Sequence, residues 1–144
     1  MVNLEFMKEA IKIAKKSNID IPIGAVIVKD NKVIAKAVNT REKKQITTLH
    51  AEMIAINSAC KKLKNWRLND CEMYVTLEPC PMCASAIVQA RISKVYFGAY
   101  DLLNGAFGSK SDMRDIMSSS ISVKGGIMEE ECQYIIKNYF EGIR

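Results

Sequence analysis

A chain of 144 residues with a net charge of +5 and 49% hydrophobic residues has the size and apolar content of one domain that folds without a disulfide framework. That composition excludes intrinsic disorder. The longest weakly polar run, Ile21 to Val28, contains a proline and a glycine and falls far short of the roughly 20 apolar residues that cross a bilayer, so no membrane span is expected.

Reading from the first residue, Glu5, Lys8 and Glu9 interrupt the apolar residues at once, so no secretion signal is expected and the cytoplasm is the expected address. Residues 3–17 place Leu4, Met7, Ile11 and Ala14 on one face with Phe6, Ala10 and Ile13 beside it, which predicts an amphipathic helix. Two apolar runs, 23–28 and 33–38, flank Lys29-Asp30-Asn31-Lys32 and predict adjacent antiparallel strands joined by a hairpin turn. From His50 to about Lys62, Ala51, Ile54, Ala55, Ser58 and Ala59 recur at helical spacing, with small residues suited to packing on a sheet. Residues 72–77 predict a third strand, and Pro79 and Pro81 end it and open a helix running to about Arg91. Lys94 to Gly98 predicts a fourth strand. Strand, helix, strand at this spacing is a right-handed crossover between parallel strands, which requires helices shielding the sheet. A loop around Asn104-Gly105 and Gly108, a short helix over 110–117, a short strand at Ile121 to Val123 and a helix over 128–141 complete a single domain over 1–144, with no internal repeat or linker.

Charge and cysteines carry the first functional hints. Residues 1–67 hold 14 Lys and Arg against 6 Asp and Glu, a net +8, while residues 68–144 hold 7 against 10, a net −3. The imbalance is compatible with a basic face for a polyanion and equally with solubilising lysines. Lys43, Lys44, Lys61, Lys62 and Lys64 are the candidate patch. Cys80 and Cys83 stand three apart among five cysteines, a pattern that favours metal or redox chemistry over disulfides in a reducing compartment. Cys60, Cys71 and Cys132 have no such setting and read as small hydrophobes.

His50-Ala51-Glu52 opens one predicted helix, and Pro79-Cys80-Pro81-Met82-Cys83 opens the next, with the third strand between them. Both helix starts therefore belong at one sheet edge, the edge where open α/β sheets place their sites. The chain's one histidine and two cysteines make three zinc ligands. Catalytic zinc keeps a fourth position for water, whereas structural zinc is closed by four protein ligands. Glu52, two residues beyond His50, is placed to take a proton from such a water. Taken singly, each residue has a plainer role: a satisfied core histidine, a redox pair, a helix-dipole partner. Their coincidence at the starts of consecutive helices favours a zinc site.

His-x-Glu followed by Pro-Cys-x-x-Cys is the signature of the zinc-dependent nucleobase deaminases, and on it the chain resembles that superfamily. Within it, the chain is similar to the bacterial tRNA adenosine deaminases through Ile21-Pro22-Ile23-Gly24-Ala25-Val26, Asn39, Trp66-Arg67-Leu68, Tyr74 through Ala84, Phe97-Gly98-Ala99, Asp101 and Gly105-Ala106 with Gly108-Ser109. The resemblance implies a cytidine-deaminase-like α/β/α sandwich with a five-stranded mixed sheet, a homodimer, and conversion of adenosine to inosine in a tRNA anticodon loop. It makes His50, Cys80 and Cys83 the ligands of one zinc per chain and Glu52 the proton shuttle, with no organic cofactor. It places Asn39 against the flipped base, Ile21 and Pro22 in the pocket wall, and Asp101 beside the sugar-phosphate chain of the target. Asn39 as a plain strand end and Asp101 as a turn start are the alternatives. Family members commonly carry a basic segment before the last strand, more polar residues at Leu102-Leu103 and a basic tail. This chain has Ser118-Ser119-Ser120 and ends at Arg144, which implies weaker RNA binding. The rival functions are a metabolic deaminase of a free base or nucleoside, of guanine or cytosine type, and a non-catalytic structural-zinc module.

Overall fold

A computed structural model describes residues 1–142. The elements are α1 (Leu4–Ala14), β1 (Gly24–Lys29), β2 (Lys32–Val38), α2 (Arg41–Lys44), α3 (Ala51–Leu63), β3 (Cys71–Leu77), α4 (Pro81–Gln89), β4 (Lys94–Ala99), α5 (Met113–Ile116), β5 (Ser122–Lys124) and α6 (Glu129–Gly142). The strands form one sheet in the order β2-β1-β3-β4-β5. β1 runs antiparallel to β2 and β3, while β3, β4 and β5 run parallel. This is the mixed sheet that the expected crossover requires.

Alternation along the central strands builds the layers. Ala25, Ile27, Met73, Val75, Val95 and Phe97 face one side, where Ala51, Ala55 and Ala59 of α3 and Ala84 and Ile87 of α4 cover them. Val26, Val28, Tyr74 and Tyr96 face the other, under Met7, Ala10, Ile11 and Ala14 of α1 and Cys132 and Ile135 of α6. Successive side chains point to opposite faces and those two apart share one, so one strand supplies both cores. Close approach is built in at Gly24, where an added Cβ would collide with the Ala10 carbonyl and the Ala14 amide of α1.

Several local expectations change. The hairpin is tighter than a four-residue turn, because β1 and β2 extend through Lys29 and Lys32 and only Asp30 and Asn31 turn, both at positive φ (50° and 62°). Asp and Asn tolerate that conformation better than other non-glycine residues. Leu4 is 49% exposed at the open end of α1, and Ser58 lies on the outer face of α3, where Ile56 is buried instead. The predicted 110–117 helix shrinks to α5, since Phe107 and Asp112 form a β-bridge that closes a turn over residues 108–111. α2 has no counterpart in the sequence reading. Cys71 and Cys132 are fully buried, and burial pushes the Cys132 thiol up to about 12. Cys60 is only half-buried.

Candidate metal centre and cavity

β2 and β3 both run antiparallel to β1, so they end at the same edge of the sheet and bring the starts of α3 and α4 there. His50 is the N-cap of α3 and Cys80 the N-cap of α4, both in extended backbone (ψ 152° and 173°). Most N-caps are Ser, Thr, Asp or Asn, whose oxygens bond the first free amides. Neither His50 nor Cys80 makes such a bond; the two side chains turn toward each other instead. Pro81 at the first helical position fixes the direction of α4, and Cys83 follows on its first turn.

His50 Nδ1 lies 3.7 Å from Cys80 Sγ and 3.4 Å from Cys83 Sγ, and the three donor atoms all fall within 4.8 Å of one another. Zinc–nitrogen and zinc–sulfur bonds of about 2.1 and 2.3 Å at a tetrahedral angle put N and S about 3.6 Å apart. The donor set therefore fits zinc in both chemistry and spacing. Hydrogen bonds from the Cys83 thiol and then from His50 hold the Cys80 thiol down at about 4, so it is a thiolate at neutral pH. The same hydrogen bond to Cys80, together with burial, pushes the Cys83 thiol up. His50 is raised by its bond to Cys80.

Beside these donors, Glu52 sits in the first turn of α3 with only 4% of its surface exposed. Burial pushes its carboxyl up to about 7, within reach of both protonation states near neutral pH. The carboxylate lines a cavity of about 610 Å³ shared with His50 and Cys80. Four layers of chain wall it: Ile21 and Ile23, Asn39 and Arg41, Leu77 through Glu78, and Tyr100 through Asn104, with Ile136 and Phe140 of α6 above.

The structure thus brings together His50, Cys80, Cys83 and Glu52, with Asn39, Ile21 and Asp101 around them. Pro22 is buried behind the wall, and Ile23 takes the lining position beside Ile21. Asn39 follows directly on β2; its Nδ2 donates to the Ile21 carbonyl (3.2 Å) and its Oδ1 accepts from the Arg41 amide (3.2 Å). Two further valences of that amide remain, one donor and one acceptor. Asp101 Oδ1 accepts from the Leu103 and Asn104 amides, both at 3.1 Å, so Asp101 does start a turn as well as line the cavity.

Sequence reasoning missed Arg41, Tyr100, Ile136 and Phe140 as lining residues, and it gave no role to Glu78. For Ile136 and Phe140 the amphipathic pattern of α6 carries no signal of a ligand. The proposed lysine patch is also divided by the fold. Lys43 and Lys44 sit on α2, whose first residue Arg41 lines the cavity, whereas Lys61, Lys62 and Lys64 lie at the far end of α3. A rise of 1.5 Å per residue puts them about 16–21 Å from His50.

Residues 2–99 match the cytidine and deoxycytidylate deaminase zinc-binding region. A tRNA-specific adenosine deaminase of Bacillus subtilis (strain 168) is 45% identical over 143 residues, which cover 96% of this chain and 89% of that protein. A solved structure from biochemical and structural studies of A-to-I editing by tRNA:A34 deaminases superposes with a TM-score of 0.85 at 38% identity, covering 92% of this chain and 99% of that one. A guanine deaminase of Bacillus subtilis superposes with a TM-score of 0.66 at 43% identity, covering 69% of this chain and 66% of that one.

Proposed function

We propose that this chain, which belongs to the cytidine and deoxycytidylate deaminase zinc-binding family and is a zinc-dependent hydrolytic deaminase, converts adenosine to inosine in the anticodon loop of a tRNA. The observation that carries the substrate is the extent of the match. Identity to a tRNA-specific adenosine deaminase is 45% over 96% of this chain, and a tRNA:A34 deaminase superposes over 92% with a TM-score of 0.85, whereas the guanine deaminase of Bacillus subtilis matches over 69% with a TM-score of 0.66.

His50 Nδ1 and the sulfurs of Cys80 and Cys83 would hold one zinc ion per chain, three protein ligands being the number typical of a catalytic site. Bound there, the ion supplies Lewis-acid activation of water at neutral pH. The Glu52 carboxylate accepts a proton as the water oxygen bonds to C6 of adenine. It returns that proton to ring N1 and carries a second, taken from the hydroxyl now on C6, to the amino group, which leaves as ammonia while C6 becomes a carbonyl. Burial suits Glu52 to this exchange, because a carboxyl raised to about 7 gives up and regains a proton readily at neutral pH.

The remaining valences of Asn39 serve the edge of the flipped base, and Ile21 contributes apolar wall. Asp101, with one oxygen held in its turn, presents the other to the sugar of the target nucleotide. An anticodon-loop base is already unpaired, so drawing it into the cavity costs less than extracting it from a duplex. The resemblance to the family supports a cytoplasmic homodimer. A purified sample tests the ion by elemental analysis, with one zinc per chain expected, and the activity by inosine in a nuclease digest of a treated anticodon stem-loop.

A further inference from the structure

Glu78 is a second buried carboxylate beside the cavity, only 2% exposed, and deamination has no use for its proton. It lies where β3 has ended and the chain turns toward Cys80. Its Oε1 accepts from the Asp101 amide (3.1 Å) and the Ser109 hydroxyl (2.5 Å); its Oε2 accepts from the Phe107 and Ser109 amides, both at 3.1 Å. Four donors on three residues of one segment thus converge on a single side chain from another. An ionised carboxylate offers about four lone-pair sites and no donor, which matches that set. The segment also lacks bulk where it meets Glu78. A Cβ on Gly105 would collide with the Glu78 carboxyl and with the Asp101 carbonyl.

We propose that Glu78 is a positioning residue for substrate, holding residues 101–109 so that Asp101 and its neighbours form the cavity wall at the distance an RNA nucleotide requires. It makes no hydrogen bond to the metal ligands or to Glu52 among the described residues, and since it stands two residues before Cys80, zinc content separates an effect on the wall from one on the metal site. A glutamine cannot replace it. With its NH₂ at the Oε2 position it confronts two amide donors. With its NH₂ at the Oε1 position the Ser109 hydroxyl can rotate to accept, but the Asp101 amide is left facing a donor. Asp101, which lines the cavity, is therefore the one released.

The role rests on the RNA adenosine reading, and the test separates the two. Wild type, Glu78→Gln and Ser109→Ala are compared by steady-state kinetics on an anticodon stem-loop, by zinc content, and by amide hydrogen exchange. For Glu78→Gln we expect KM to rise about tenfold, the size of one charge-assisted hydrogen bond, with kcat changed less than about threefold. Exchange should accelerate at 101–109 while β3, α4 and zinc content stay as in wild type. Ser109→Ala, which removes one donor and disturbs the backbone less, should move KM in the same direction by about threefold. Unchanged KM and exchange in both variants would overturn the proposal, as would zinc loss with loosening throughout β3 and α4. Absence of inosine with the wild-type protein would instead refute the substrate reading, and the exchange data would still report on the wall.

Discussion

Glu52 and the three metal-binding side chains divide their tasks in a way that substitution separates. Glu52→Ala removes a proton carrier and leaves His50, Cys80 and Cys83 in place. Turnover should fall at least about 10²–10⁴-fold, the usual contribution of a general acid–base group, with zinc content unchanged by elemental analysis. The melting temperature should not fall, because a carboxylate buried to 4% exposure and pushed up to about 7 is held at a cost that alanine removes. A variant that keeps near-normal activity would refute the assigned role. These four residues were legible in the sequence because the chain's one histidine, the carboxylate and the cysteine pair coincide at the starts of two consecutive predicted helices, although each taken singly has a plainer role. Asn39 and Asp101 were legible only through family likeness, since their local roles, ending a strand and starting a turn, suffice to explain them without a substrate. Glu78 carried no local signal at all, as its partners lie more than twenty residues away.

Among the elements, those with an apolar period were predictable and those built by distant contacts were not. β1 reads as a strand covered on both faces because its residues from Gly24 to Val28 are all buried. α2 is the contrary case: Arg-Glu-Lys-Lys has no buried residue, and Thr40 at its N-cap makes no side-chain bond. Asp20 supplies that cap from outside the helix, accepting from the amides of Glu42 (2.5 Å) and Lys43 (3.1 Å), and is itself 3% exposed. Pattern reading along a window of residues has no access to a cap supplied from twenty positions upstream. Asp20→Ala should cost about 1–2 kcal/mol in urea unfolding, the range for lost helix caps, and Asp20→Asn about half as much or less. Because Arg41 lines the cavity, the alanine variant should also weaken substrate binding more than it slows the chemical step. Equal stability of the three proteins would show that α2 does not depend on Asp20.

At the scale of the whole molecule, the +8 charge of the first 67 residues is spread over separate surfaces. Arg41 lines the cavity and Lys43 and Lys44 follow it on α2, so these are the cations expected to meet a nucleic acid entering the site, while the lysines at the end of α3 lie about 16–21 Å from His50. Affinity for an anticodon stem-loop should fall steeply and log-linearly with salt, since each lysine–phosphate contact releases counterions. Joint replacement Lys43→Gln and Lys44→Gln should flatten that slope by up to about two contacts, and Lys61→Gln with Lys62→Gln by less. Salt-independent binding would favour a free-base substrate. That question is also the most direct test of the account: purified protein with zinc is given an anticodon stem-loop in one set of reactions and free adenosine, guanine or cytosine in another, with inosine in the RNA and ammonia release measured in parallel. Use of binding energy from neighbouring nucleotides to position the base predicts efficient conversion of the stem-loop and negligible ammonia from the free compounds. Rapid ammonia release from a free base beside an unmodified stem-loop would contradict it.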